Sequence, residues 1–285
     1  MRVIVAGGAG YVGRALTASL AHDGHEVVVV SRLPGADGSI GWDAAPAAVD
    51  GADAVVNLAG TAIGGPRWTP KRKQAIRSSR VETTRSLVQA IAGANTPPGV
   101  FVTASGIDYY GDSGDRLVDE SSPAGSTLLA AVCAHWESVA AQAPVRHVAI
   151  RTALVVGPSA TAIRLMALPF RLFAGGPLGG GRQFFPWIHL DDLVRLYRLA
   201  IDDGELAGPL NAVGPQQLRQ LDAAKDFGAV LHRPAVLPTP AFALRLALGE
   251  QADLLLHGQR ATSVKLGDFE FRYRALRAAL EDALG

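Results

Sequence analysis

Seven positions near the start of the chain, Gly7-Gly8-Ala9-Gly10-Tyr11-Val12-Gly13, contain both G-x-G-x-x-G (Gly8, Gly10, Gly13) and G-x-x-G-x-x-G (Gly7, Gly10, Gly13). Glycines at this spacing permit a tight turn and let backbone N–H groups approach a pyrophosphate at a helix N-terminus. The run follows an apolar segment at residues 3–6 and opens a helical one, the context that such a pattern needs. Gly7, Gly10, Tyr11, Val12 and Gly13 are therefore the expected dinucleotide contacts. A glycine turn without a ligand is the structural alternative. A P-loop fails on chemistry, because Arg14 and Ala15 follow Gly13 where Lys and Ser/Thr should reach phosphate and magnesium.

The type of dinucleotide is read at the end of the next apolar run, Val27-Val28-Val29-Val30, which is followed by Ser31-Arg32. An NAD site usually places a carboxylate there to accept from the ribose 2′-hydroxyl. A guanidinium instead makes bidentate contacts to a 2′-phosphate, which an acid would repel. NADP(H) is thus expected over NAD(H), with an ordinary exposed loop arginine as the alternative. Asp43, after Trp42, is placed to accept from the adenine amino group or simply to form a turn. Asn57-Leu58-Ala59-Gly60 closes a further apolar run, and its small residues let the backbone pass beneath the ribose and nicotinamide.

These positions need a scaffold of alternating strands and helices. Strand-like runs at residues 3–6, 26–31, 52–58, 100–105 and 145–156 alternate with helical segments at 15–21, 69–92 and 126–142. A further strand is expected to end at Trp42-Asp43, which makes the run before Asn57 the fourth. Thr69-Pro70 reads as an N-cap followed by proline in the first turn, and Ala94-Asn95-Thr96-Pro97-Pro98-Gly99 as a stop. Continuous apolar strands in such an order imply a parallel sheet covered on both faces. After Gly157-Pro158 the texture changes. A glycine stretch at 175–181 reads as a lid hinge, and helical patterns follow at 190–201, 217–231, 241–256 and 274–284. Asp191 or Asp192 is expected to cap the first of these. The fold class is thus α/β, a Rossmann-type doubly wound parallel sheet with a smaller, mostly helical C-terminal lid. Residues 1–157 would bind the dinucleotide and 158–285 shape the substrate side, with 183–213 returning to the sheet.

Composition narrows the function. The chain has 27 basic and 26 acidic side chains, so no basic field recommends a nucleic-acid or acidic-membrane partner. No run approaches the roughly 18 apolar residues of a membrane span. Cys133 is the only cysteine, which excludes an intrachain disulfide and fits a reducing, cytoplasmic setting. His189 with Asp191 and Asp192 has helix-cap spacing and does not make a metal site. The expected partner is a small-molecule substrate, and nothing opposes a homodimer.

The opening glycines, Asn57-Leu58-Ala59-Gly60, Ser105 before Tyr109-Tyr110-Gly111, and Arg151 leading to Gly157-Pro158 resemble the extended short-chain dehydrogenase/reductases, the NAD-dependent epimerase/dehydratase superfamily. Arg67-Trp68, Ser79-Arg80-Val81-Glu82-Thr83-Thr84, Trp136-Glu137 and the stretch from Gly175 to Trp187-Ile188-His189 resemble its branch called epimerase family protein. Arg233-Pro234-Ala235, Leu248-Gly249-Glu250 and residues 255–259 resemble that branch's own C-terminal segment, although Lys265-Leu266-Gly267-Asp268-Phe269 makes a short link before the aromatic tail. The resemblance spans nearly the whole chain. It implies a bound NADP(H), with Arg80 reaching the cofactor and Val155 lying by the nicotinamide.

One part of the superfamily pattern is missing. Its acid–base centre is Tyr-x-x-x-Lys, in which the cation lowers the tyrosine pKa and holds the nicotinamide ribose. The five tyrosines here are followed four places on by Ala15, Ser113, Gly114, Ile201 and Arg277. Counted back from Trp136-Glu137, the expected positions hold Leu129 and Cys133. General acid–base catalysis contributes about 10²–10⁴-fold, so its loss weakens hydride transfer without forbidding it. The candidate substitutes are Ser105, which matches the family serine, and Tyr109 on the loop after it, with Asp108 and Tyr110 alongside. Two functions follow: an NADP(H)-dependent oxidoreductase or epimerase-like enzyme, or an NADP(H)-binding regulatory or scaffold protein without turnover.

Overall fold

The computed structural model describes residues 1–35 and 38–285. The first half runs β1 (Arg2–Ala6), α1 (Tyr11–His22), β2 (Glu26–Val30), α2 (Ala45–Val49), β3 (Ala54–Asn57), α3 (Pro70–Ala92) and β4 (Val100–Gly106). A 3-10 turn (Ile107–Tyr110) leads to β5 (Leu117–Val118), α4 (Leu128–Ala140), β6 (Arg146–Thr152) and β7 (Leu154–Val156). Then follow α5 (Thr161–Arg171), β8 (Trp187–His189), α6 (Leu190–Asp202), β9 (Gly208–Ala212), α7 (Gln220–Leu231), α8 (Ala241–Leu248), α9 (Asp253–Leu256), β10 (Arg260–Ala261) and α10 (Leu276–Leu284).

Six strands pair in the order β2-β1-β3-β4-β6-β9, every pair parallel. The chain leaves β1 for β2 on one side and returns to β3 on the other. That reversal opens a crevice at the carboxyl ends of the strands, where α/β folds bind ligands. Both sheet faces are covered, which is why the strands read as unbroken apolar runs. Val3, Val5, Val56, Val102 and Ile150 pack with Leu16, Leu20, Leu196 and Tyr197 of α1 and α6. The alternate residues Ile4, Val55 and Phe101 pack with Leu87 and Ile91 of α3. A separate apolar cluster joins Ile163, Phe170, Trp187, Phe227, Leu276 and Leu280 across the second half.

The α3 start follows its sequence signal: Thr69 Oγ1 accepts from Arg72 N at 3.2 Å, with Pro70 in the first turn. Five other expectations need correction. The run 145–156 is two strands, because Ala153 N still donates to Ala212 O while Leu154 N turns away to Pro186 O. Only β6 stays in the main sheet; β7 pairs with β8. No strand ends at Trp42-Asp43. Ile40 forms a lone bridge to Val30, so the run ending at Asn57 is the third strand of the chain. The segment 241–256 is not one helix, since it breaks at Gly249 with φ +62°.

The cap of α6 is His189, whose Nδ1 accepts from Asp191 N at 3.1 Å. Asp192 faces inward and accepts from Arg272 N and Tyr273 N, at 2.8 and 3.0 Å, so it anchors the tail. The glycine stretch is a packed strap and not a hinge. Leu237 N donates to Gly175 O and Gly179 N to Thr239 O, and side chains at Gly175 and Gly176 would collide with Phe170 and the Leu237 backbone.

Among the described residues, no helix is long and apolar enough to cross a membrane. No group of three or more His, Cys, Asp or Glu side chains stands close enough there to hold a metal ion.

Candidate functional site

The glycine loop leaves β1 with Gly7 at φ +80°, its N–H bound to Val30 O at 3.1 Å. A Cβ on Gly7 would stand 2.8 Å from the Leu58 carbonyl carbon and from Ala59 N, so the loop lies directly on the turn after β3. A Cβ on Gly13 would collide with Gly7 O and stand 2.7 Å from Gly8 Cα. Both glycines are thus required by close backbone approach. Gly10 caps α1 without a side chain, so the first N–H groups of the helix, at Tyr11, Val12 and Gly13, meet no side-chain acceptor. They form a positive cradle shaped for a pyrophosphate, and the residues present fit a dinucleotide.

The Tyr11 hydroxyl donates to Pro158 O at 3.0 Å, tying this loop to the segment after β7. Burial, then the nearby Asp282 and Asp191, push the Tyr11 phenol up to about 12, so it stays neutral. Arg14 folds back with Nη1 on Ala9 O at 2.6 Å.

The β2 end holds the residues expected on the adenosine side. Ser31 Oγ accepts from Leu33 N at 3.2 Å and closes the turn. Arg32 is exposed and, among the described residues, has no ion-pair or hydrogen-bond partner. A guanidinium held free at this point suits an incoming phosphate. Asp43 is also exposed, next to Gly41.

On the other side of the crevice, Asn57 shapes the turn that carries Leu58, Ala59 and Gly60. Its Oδ1 accepts from Ala59 N at 3.0 Å, and its Nδ2 donates to Thr84 Oγ1 at 2.8 Å. Arg80 is buried. Its Nη1 donates to Thr61 O and Ile76 O, both at 3.0 Å, and its guanidinium lies 5.3 Å from the Trp136 ring. Burial lowers the Arg80 pKa, opposed by Cys133 and Asp108.

Ser105, Glu137, Arg151, Tyr110 and Asn211 form a connected network at the end of β4 and β6. Ser105 Oγ donates to Glu137 Oε1 at 2.6 Å. Arg151 grips the same carboxylate with Nε at 2.9 Å and Nη2 at 2.7 Å, and its Nη1 donates to Tyr110 Oη at 2.8 Å. The Tyr110 hydroxyl in turn donates to Asn211 Oδ1 at 2.8 Å. The Tyr109 ring lies 3.4 Å beneath the Arg151 guanidinium. Burial works against the Arg151 charge, but Glu137 and Tyr110 outweigh it, so the guanidinium pKa ends raised. Sequence reasoning missed this network. Trp136-Glu137 and Arg151 were visible as signatures, but nothing in their spacing shows that they meet.

Leu129 and Cys133 are both buried on α4. Burial, then the Asp108 charge, push the Cys133 thiol up to about 12. The thiol is therefore inert as an acid–base group near neutral pH. Val155 is half-buried in β7, paired with Ile188.

The roof over the crevice joins the loop after β3 to the C-terminal segment. Arg67 Nη2 donates to Leu246 O at 2.9 Å, Gln251 Nε2 donates to Pro66 O at 2.7 Å, and Lys73 pairs with Glu250. Gln183 holds Leu178 O and Leu255 O and so belongs to this frame. His189 is buried, paired with Asp282 Oδ2 at 3.0 Å, and stacked on Tyr273 with ring centroids 3.6 Å apart.

Residues 3–212 match the NAD dependent epimerase/dehydratase family, and residues 239–283 match a domain of unknown function, DUF1731. The epimerase family protein SDR39U1 of Homo sapiens is 39% identical over 292 residues, covering 99% of each chain. The epimerase family protein YfhF of Bacillus subtilis is 33% identical over 299 residues, covering 100% of this chain and 98% of that one. A crystal structure of the human protein, isoform2, was solved with NADPH. It superposes with a TM-score of 0.92 over 99% of this chain and 98% of that chain. The glycine cradle, the parallel order of the sheet and these matches agree: the chain belongs to the NAD-dependent epimerase/dehydratase family, in its epimerase family protein branch.

Proposed function

We propose that this protein binds NADP(H) and works as an oxidoreductase or epimerase-like enzyme, of short-chain dehydrogenase/reductase type, on a small organic substrate in the cytoplasm. The observation that carries this reading is the glycine cradle at the reversal point of the sheet, where Gly7 and Gly13 admit no side chain. When bound, the cofactor supplies hydride donor or acceptor chemistry at its nicotinamide ring.

Gly7, Gly10, Tyr11, Val12 and Gly13 would hold the pyrophosphate, Ser31 and Arg32 the 2′-phosphate, and Asp43 the adenine. Leu58, Ala59, Gly60, Arg80 and Val155 would line the nicotinamide half. Residues 1–157 form the dinucleotide side and 158–285 the substrate side, with 183–213 returning to the sheet. Ser105 acts as an acceptor, since its own proton goes to Glu137 and leaves a lone pair for a substrate N–H or O–H. Tyr109, held flat beneath Arg151, presents its ring and hydroxyl to the substrate.

A second reading is a cofactor-binding regulatory protein without turnover. The buried Leu129 and the inert Cys133 thiol, at the positions of the usual acid–base pair, favour it.

NADPH deuterated on either face of nicotinamide C4, incubated with the protein and a metabolite extract, separates the two. A product that gains one deuteron supports the enzyme and names its substrate. Tight NADPH binding with no label supports the regulatory reading or internal redox without net transfer, and no binding overturns both. Arg32→Ala is expected to reduce the preference for NADPH over NADH by about 10–100-fold, the weight of a charge-assisted phosphate contact. Equilibrium binding of both nucleotides checks this, and an unchanged ratio would remove Arg32 from the site.

A further inference from the structure

Two charged side chains from different elements reach the crevice beyond β3 and β4. A pyrophosphate on the α1 N-terminus lies at the reversal between β1 and β3, so the two nucleosides fall on either side of it. With the adenosine half toward β2, the other riboside lies over the carboxyl ends of β3 and β4. Arg80 comes from α3 and passes under the β3 end, where a Cβ on Gly60 would stand 3.2 Å from its Cζ. Asp108 comes from the turn after the β4 end. Its Oδ2 and Cys133 Sγ each stand 3.5 Å from the point that a Cβ on Gly106 would occupy. The acid therefore lies beside the position where a long cation on α4 is absent. Unlike Ser105, Glu137 and Arg151, it is not tied into the neighbouring network: among the described residues, only its own backbone N–H donates to it.

We propose that Asp108 is a cofactor-binding residue: its carboxylate, backed by Arg80, accepts hydrogen bonds from the ribose hydroxyls on the nicotinamide side. This rests on the NADP(H) reading above. It assigns to an acid and a cation from two other elements the ribose contact that α4 does not supply here. A carboxylate is the right acceptor for a vicinal diol, and Arg80 offsets its charge next to an anionic ligand.

The charged and titratable groups facing Asp108 are Arg80 from α3 and Cys133 from α4. Glu137, one turn further along α4, is held by Arg151. The Cys133 thiol stays neutral and the guanidinium stays charged through the working range. Burial pushes the Asp108 carboxyl up to about 6, against the pull of its own N–H and Arg80, so Asp108 is the group that titrates here. Ribose hydroxyls donate to the ionised form, so cofactor affinity should rise with pH through that point.

The test is the NADPH dissociation constant, read from nicotinamide fluorescence between pH 5 and pH 8, for the wild type and Asp108→Asn. Taking the ratio of the two cancels titration of the 2′-phosphate. The ratio is expected near one at pH 5, with the variant about ten-fold weaker at pH 7.5. A ratio that does not change with pH overturns the proposal. Asp108→Asn is expected to fold, because it removes a charge that burial disfavours, and its melting temperature at pH 7.5 should not fall below that of the wild type.

A second measurement needs no variant. The Asp108 carboxyl carbon, followed by NMR, should titrate at lower pH when the wild-type protein is saturated with NADPH. An unmoved midpoint overturns the proposal. If the wild type binds no NADPH at any pH, the NADP(H) reading itself has failed.

Discussion

Glu137→Ala is expected to cost the fold about 3–5 kcal/mol, the largest loss from any single side chain at the site. The wild-type carboxylate takes two hydrogen bonds from Arg151 and one from Ser105. Arg151 is only 3% exposed, so truncation leaves a largely buried guanidinium without its charged partner. The Tyr109 ring still lies against that cation, and the Tyr110 phenol, which burial pushes up to about 12, brings no compensating charge. Urea denaturation followed by circular dichroism would measure the loss. The double change Glu137→Leu with Arg151→Met should recover most of it, since an apolar pair of similar volume removes both desolvation penalties. A loss under about 1 kcal/mol for Glu137→Ala would mean that the pair is solvated and does not organise the β4 and β6 ends.

Gly13→Ala should reduce NADPH affinity by at least about 100-fold, through loss of two or more charge-assisted N–H contacts to phosphate. The new Cβ would collide with Gly7 O and press on Gly8 Cα, and backbone cannot rotate away as a flexible side chain does. The loop must lift off the helix end, and the N–H groups of Tyr11 and Val12 lose their common aim. Gly24→Ala is the control. Gly24 has φ +79° and nothing within 4 Å of its Cβ position, so it pays only backbone strain in the turn between α1 and β2. That variant should melt slightly lower and bind NADPH normally. Isothermal titration of both variants distinguishes a distorted cradle from a weakened fold.

What could be read in advance was local. Thr69-Pro70 announced α3 because a hydroxyl cap and a proline act within one turn. The glycine loop was legible because its spacing, preceding strand and following helix are contiguous. The misreadings came where distant partners decide. Asp191 and Asp192 both looked like caps, yet the tail's Arg272 and Tyr273 N–H groups claim Asp192 and leave the cap to His189. The apolar run at 145–156 has no break signal, because the split at Ala153 is set by competition between β9 and the Pro186 carbonyl. The glycines at 175–181 suggested freedom of movement, whereas they serve close contact with Phe170 and Leu237. At the site, Ser105 and the vacant Tyr and Lys positions were evident. The tie between Ser105 and Glu137 was not, since it joins β4 to α4 across 32 residues.

The grip of Asp282 on His189 has a consequence for how the chain is made. Tyr11, in the glycine loop, packs into the cluster that holds Leu276 and Leu280, and its hydroxyl is fastened to Pro158. His189 closes the same corner, and Asp282 holds His189 from α10. Chains emerge from the ribosome N-terminus first, at about 5–20 residues per second. The nucleotide loop is therefore synthesised well before α10, which supplies part of its supporting wall. A nascent chain can build β1 to β4 early, but it meets NADPH with a half-supported loop until α10 is released. Full support for the cofactor loop therefore waits until α10 has been made and has docked.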